Sequence, residues 1–329
     1  MDSPFPKSSS VAGEGRIVAR LLPEGVSGLE AFTYQYPLKL ITPPRPSETQ
    51  SVLVFLLSYG GGLVAGDVVN LSVDVQAGAK LTLVTQGHTK IFKSVTPDTV
   101  TRQTMSVRIA AGAALCLLPD PVQPFENSVY EQVQVFKLAR NASLCLLDWV
   151  TRGRTARGEN WSFVRWVGRN EVWALRDDPT AGDRLLVRDS VILDSDQSHP
   201  QLPTLRESMH SVGVIGTLVL RGPLMKSLGE FFLAEFAALP RLGARDFRSD
   251  DAKRTAGDPL LPREKWRAER VRMEKDSRLL WSAANVRGCV VVKFGAPEVE
   301  AGRLWVGSML IQEGSISQNF GNQSLMCVR

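Results

Sequence analysis

The amino-acid sequence predicts a mainly β fold: stacked β-hairpins in a helical, solenoid-like β-sandwich, with a few α-helices in the C-terminal third. Three observations carry this expectation. Val69, Leu71, Val73 and Val75 alternate with Asn70, Ser72, Asp74 and Gln76, the period of a half-buried strand. The unit Val73–Leu83 recurs as Val107–Leu117 and, more weakly, as Phe136–Leu146, at offsets of 34 and 29 residues. Each copy reads strand, two-residue turn (Ala-Gly, Ala-Gly, Arg-Asn), strand, with Ala79, Ala113 or Ala142 at the first returning position. Units that cannot bury a face alone stack on one another, although an ordinary antiparallel β protein also yields such likenesses. Helical spacing enters only late, at Leu224, Leu228, Phe231, Phe232, Phe236 and Leu239 between Pro223 and Pro240.

In chain order, residues 1–14 carry Ser, Pro and Gly and read as a mobile N-terminus, followed by one β-rich domain over residues 15–313. Arg16–Leu22 and Ala31–Ile41 read as strands that end at the proline-rich connection beginning with Pro43. Val52–Leu57 is wholly apolar, as in a strand covered on both faces. Gly60, Gly61 and Gly62, then Gly66-Asp67, mark turns, and Gly61, Gly62 and Gly66 are taken as turn glycines. Val69–Val75 and Lys80–Thr85 follow as a hairpin across Ala77-Gly78. Pro119–Phe125 is a stiff connector, because its three prolines donate no backbone hydrogen bonds. Another hairpin is expected from Trp161–Val167 and Glu171–Leu175 around Gly168, and strands at Arg184–Leu193 and Val212–Arg221. Helical elements are expected at about 223–240, 263–281 and 298–312, with a polar insert over 245–262 and a strand at Gly288–Phe294. Residues 314–329 read as a tail that a partner orders.

The chain of 329 residues is 43% apolar, enough for one large or two modest cores. Its net charge of +5 is spread along the chain, so no nucleic-acid partner is expected. The densest basic run, Arg263–Lys275, also holds Glu264, Glu269 and Glu274 and reads as a solvated helix face. Cys116, Cys145, Cys289 and Cys327 form no CxxC pair, which suits a reducing compartment. Met1–Ser10 has no apolar segment, and no run approaches the ~20 residues that span a bilayer. A cytoplasmic protein without membrane contact is expected.

The glycine loop invites a phosphate-binding reading, but such loops open a helix whose amides hold the phosphate, and here a strand follows. Asp67 also stands where the phosphate loop requires Lys. There is no GxSxG, HExxH or DxDxDG, no Cys/His quartet, and only His88, His199 and His210 among histidines. What remains is a set of polar residues where a β core prefers apolar ones: Asp67, Gln86–Lys90, Asp148, and Arg154, Arg157 and Glu159 between strands. Each can be a plain structural group; Asp148 with Arg154 or Arg157 is one candidate pair, since a buried charge needs a partner. Together, oxygen and imidazole groups around an internal path would handle a hard or borderline divalent ion weakly, without thiolates to trap it.

At these same residues the sequence resembles the UreD (UreH) family of urease accessory proteins. The segments that carry the resemblance are Gly61–Asp67, Leu83–Phe92, Pro119–Phe125 and Asp148 with Gly153–Phe163, in order across about residues 15–310. Two features depart from the family pattern: His88 replaces a small residue, and the insert near Arg245–Pro262 is long. The resemblance implies a non-enzymatic scaffold that binds urease apoprotein and, through a UreF-like protein, a UreG-like GTPase. It implies a β-rich stacked fold, no tightly bound cofactor, and a transient nickel ion passed through an internal tunnel. Carried over by position, it makes Asp67, His88, Thr89 and Asp148 the tunnel residues, and Arg154, Arg157 and Glu159 orienting or partner-contact residues. Two other readings stay open: a β-solenoid hydrolase or lyase using Asp67, Asp148 and Glu159, and a purely structural adaptor.

Overall fold

The computed structural model describes residues 11–44, 51–176, 178, 182–195, 203–239 and 262–329. The expectation for residues 1–10, and that for the polar insert apart from Pro262, lie outside them. Along the chain, β1 (Glu14–Leu21), β2 (Ser27–Tyr34), β3 (Leu38–Ile41) and β4 (Val52–Ser58) lead through the glycine loop to β5 (Gly62–Leu63). The stacked region follows: β6 (Val68–Val75), β7 (Lys80–Val84), β8 (Thr89–Ile91), β9 (Thr101–Ile109), β10 (Ala114–Leu117), β11 (Val122–Pro124), β12 (Val129–Leu138) and β13 (Ser143–Thr151). The remainder is β14 (Arg165–Ala174), β15 (Arg184–Asp194), α1 (Leu205–Ser208), β16 (Val214–Arg221), α2 (Lys226–Ala237), α3 (Pro262–Asp276), β17 (Leu280–Val286), β18 (Cys289–Ala296), α4 (Val299–Glu313) and α5 (Ser315–Phe320).

Among the described residues the strands form two sheets. One runs β15-β14-β12-β9-β6-β1-β2; the other runs β17-β18-β16-β13-β10-β7-β4-β3, with β5, β8 and β11 beside it. The repeat aligned in the sequence is the register of the stack. Val73 pairs with Val107 and Val107 with Phe136 in the first sheet, while Leu83, Leu117 and Leu146 line up in the second. The unit, however, is not a hairpin. β6 bonds in parallel to β9, β9 to β12, and β7 to β10, so each pair of strands faces itself across the core as an arch. The turns close alike: Ala79, Ala113 and Ala142 donate N–H to the carbonyls three residues back at 3.0, 3.1 and 3.1 Å. Gly78, Gly112 and Asn141 supply the left-handed residue each turn needs (φ 72, 69 and 60°).

Burial accounts for the two strand compositions. The first sheet has one face on the core and one toward solvent, hence the alternation of β6 and β9. The second is covered on both faces along its inner strands β7, β10 and β13. Leu81, Leu115 and Leu144 pack inward, whereas Cys116, Cys145 and Leu147 join an apolar cluster with Leu228, Phe232, Trp305 and Met309 of α2 and α4. The sequences of these inner strands are therefore mostly apolar, as that of Val52–Leu57 already indicated.

Four other expectations are corrected. Gly168 lies inside the continuous strand β14, not in a turn: the Trp166 ring fills the place of a Cβ there, 2.3 Å from its ideal position. The third helix stops at Asp276, and Trp281 belongs to β17, paired with β18. The charged face of α3 is not wholly solvated, since Arg263, Arg267 and Arg270 converge on Glu235 of α2, whose side chain is 0% exposed. Burial alone would raise the Glu235 carboxyl, but the bonds from Arg267 and Arg263 hold it below its ordinary range. Finally, residues 314–329 are not a loose tail but pack on the chain itself: Ile316, Phe320, Leu325 and Val328 are buried in the helix-side core.

Candidate functional site

The inward face of the first sheet is interrupted by amides. Tyr130, Phe136 and Leu138 set the phase of β12, and that phase points Gln132 and Gln134 inward while Val133 and Val135 face out. In-register neighbours extend the polar set: Gln103 lies beside Gln132, and Asn170 beside Gln134. These residues of β12 and β9 meet Asp148 of β13, Thr85, Thr89 and Asp120 around an internal cavity of about 70 Å³ between the sheets.

Asp148 is held entirely by amides. Gln132 Nε2 donates to Oδ1 at 3.0 Å and Asn170 Nδ2 to Oδ2 at 2.6 Å, while Tyr130 Oη donates to Gln132 Oε1 at 3.1 Å. The Asp148–Arg154 or Asp148–Arg157 pair expected from sequence is absent among the described contacts. Burial pushes the Asp148 carboxyl up, and the two amide donors only partly offset this. Burial also raises the Tyr130 hydroxyl, with the Asp148 charge adding to the effect.

At the other end of the cavity Asp120 is saturated. It accepts from Thr85 Oγ1 (3.1 Å), Gly87 N (2.9 Å) and Arg303 Nη2 (2.9 Å), and its own N–H donates to Thr85 Oγ1 at 2.7 Å. Arg303 of α4 also donates to the Cys327 carbonyl at 2.5 Å, which ties the chain end to this wall. His88 sits half-buried beside it. Burial lowers its pKa first, Asp120 opposes this, and Arg303 and Lys90 reinforce it.

Of the four residues assigned to the path, Thr89 and Asp148 line the cavity and Asp67 and His88 do not. Asp67 instead caps its own turn, accepting from Val64 N at 2.8 Å. Gly61 and Gly66 adopt positive φ (75 and 84°), whereas Gly62 is extended; a Cβ there would stand 2.7 Å from the Lys90 carbonyl. Arg154 and Glu159 form a clamp with each other. Glu159 is buried, accepts from Arg154 N at 2.8 Å and Nε at 2.9 Å, and Arg154 lies 3.7 Å over the Phe125 ring. Burial would raise the Glu159 carboxyl, yet these bonds hold it low. Arg157 is exposed on a single helical turn. Asp67, Asp148 and Glu159 are thus not gathered for acid–base work: of the three only Asp148 lines the cavity.

Asp148 also lines a second space, a surface groove of about 610 Å³ beside β14, β15, β16 and β18. Asp189, Lys293, Thr217 and His210 share it. Sequence reasoning missed Gln103, Gln132, Gln134, Asn170, Asp189 and Lys293. The inverted polarity of β12 against its own aromatic phase was the signal for the glutamines. Among the described residues no three His, Cys, Asp or Glu side chains are grouped to hold a metal ion tightly, and no helix is long and apolar enough to cross a membrane.

A two-sheet stack of arches with a polar interior defines a class of β-rich protein with no gathered catalytic set among its described residues. The family described as UreD urease accessory protein matches residues 12–323. Its relatives include "Urease accessory protein 4" of Cryptococcus neoformans, 30% identical over 92% of this chain and 91% of that one. A UreD-like urease accessory protein of Schizosaccharomyces pombe is 30% identical over 88% of this chain and 90% of its own. "Urease accessory protein UreD" of Anaeromyxobacter is 38% identical over 72% and 74%. The chain belongs to the UreD family of urease accessory proteins.

Proposed function

We propose that this chain matures urease as a non-enzymatic scaffold in the cytoplasm, binding urease apoprotein and a complex of UreF-like and UreG-like proteins and conducting nickel between them. The nickel ion is cargo, held weakly and in passing. The observation that carries the reading is the row of inward amides, Gln103, Gln132, Gln134 and Asn170, facing Asp148 and Thr89 where apolar side chains would pack better. Uncharged oxygens replace part of an ion's hydration shell without trapping it, and Asp148 adds a carboxylate where the cavity meets the groove.

The test is urease activation with UreF-like, UreG-like and urease proteins co-expressed, comparing wild type with the double variant Gln132→Leu, Gln134→Leu. The expected result is loss of activation while the four proteins still co-purify. Full activation by the double variant would overturn conduction through this interior, and failure of the wild type to co-purify with any partner would overturn the scaffold.

A further inference from the structure

The groove that Asp148 shares with the cavity ends in an arrangement that salt bridging alone leaves unexplained. Asp148 on β13 lies beside Thr217 on β16, and Thr217 beside Lys293 on β18. Across the gap, Asn170 on β14 lies beside Asp189 on β15. Lys293 Nζ bridges the two sheets, 2.6 Å from Asp189 Oδ1 and 3.4 Å from Thr217 Oγ1. Asn170 closes the ring through its bond to Asp148.

One atom in this ring is left over. Asn170 is 3% exposed and its Nδ2 is committed to Asp148, yet its Oδ1 is buried with no donor. An amide oxygen in that state stabilises a cation that reaches it. The other oxygen-bearing groups of the ring, Asp148, Asp189 and Thr217, are two carboxylates and a hydroxyl, hard donors suited to a divalent ion. The position is guarded by an ammonium whose side chain is half exposed (50%), while Asp189 is nearly covered (11%).

We propose that this end of the path is a gated cation site, in which Asp148, Asn170, Asp189 and Thr217 supply oxygens and Lys293 is the tethered cation that a divalent ion displaces. The proposal rests on the conduction reading and adds its control point. An ion arriving from the groove exchanges places with the ammonium; no bond other than coordination forms or breaks. The resident charge keeps the site weak, as a conduit requires, and excludes monovalent ions that cannot outcompete it.

The test uses the full chain titrated calorimetrically with nickel chloride, with manganese chloride as a paramagnetic probe of the same site. Lys293→Met is expected to bind either ion about tenfold or more tightly than wild type, since a like charge at contact distance is removed. Adding Asn170→Leu to that variant is expected to abolish the gain, and Lys293→Arg, which keeps the cation, to leave affinity at or below wild type. Equal affinity for wild type and Lys293→Met overturns the gate, as does a gain that survives Asn170→Leu. Should Lys293→Met fail to fold, tighter binding by Lys293→Arg than by wild type overturns it equally. Urease activation by the wild type is scored apart: its absence overturns the delivery reading, whereas the titrations alone decide the gate.

Discussion

Replacing Asp148 with Asn separates what the carboxylate does for folding from what it does for the ion. Burial raises the folded-state pKa of Asp148 above its unfolded value. A raised carboxyl means that the folded chain binds more protons than the unfolded one. Its contribution to stability is therefore greatest below the ordinary carboxylate pKa of about 3.9 and is lost as pH rises through the folded value. As pH rises, burial penalises the charged form, although Asp148 is only half-buried and also lines the open groove. Two charge-assisted bonds, from Gln132 and Asn170, become neutral ones on substitution, losing about 1 kcal/mol each. The second bond survives because Asn170 can turn its amide and offer Oδ1, which has no donor now. The lifted penalty and the weakened bonds nearly offset each other, so Asp148→Asn is expected to leave stability level or raise it by up to about 1 kcal/mol, a melting temperature higher by no more than roughly 1–2 °C. Thermal melts at pH 5 and pH 8 check it, with the larger gain expected at pH 8. Urease activation is expected to fall nonetheless, because the one charge between the amides is gone. A melting temperature lowered by several degrees would show that the carboxylate is structural, and unchanged activation would remove it from the path.

Other outcomes follow from the packing. Glu235→Ala takes the carboxylate from Arg267 and leaves the 1% exposed Arg270 with Glu274 alone, and denaturant unfolding is expected to register a loss of about 1–3 kcal/mol. Gly168→Val drives a side chain into the Trp166 ring, which should cost at least about 1–3 kcal/mol by the same measurement. His88, with its pKa lowered, contributes stability that is present above the ordinary imidazole value of about 6.5 and lost as pH falls through the folded one. Histidine NMR titration should place it below that ordinary value, and His88→Asn should flatten the acid side of the stability profile.

The stack was legible in the sequence to the residue. Aligning Val73–Leu83 with its two copies reproduces the strand register, because every rung repeats the same turn chemistry at Gly78, Gly112 and Asn141. The pairing within a rung was not legible. Apolar residues on both sides of a tight turn suit a hairpin and an arch equally, and only the parallel pairing of each strand with its copy in the next rung decides for the arch. Gly168 misleads for a local reason: a glycine beside Arg and Asn reads as a turn unless the bulk of Trp166 two residues earlier is known to lie over it. At the site, Asp148 stood out because it breaks an apolar run. Gln132 and Gln134 did not, since alternating Val and Gln suggests valines inside, and only Tyr130 and Phe136 reverse the phase. Asn170 and Asp189 meet through the register of β14 with β15, and Lys293 reaches Asp189 from the other sheet, 104 residues further on, which spacing cannot reveal.

The most direct test follows nickel into urease apoprotein from the UreG-like donor, with a strong nickel chelator in the surrounding solution. An enclosed route through the amide-lined interior gives urease activity that the chelator leaves largely intact with the wild-type chain. The same route gives almost none with Gln132→Leu, Gln134→Leu in an assembled complex. Activity that the chelator abolishes in the wild type, or that the double variant retains, would mean that the ion travels outside this protein.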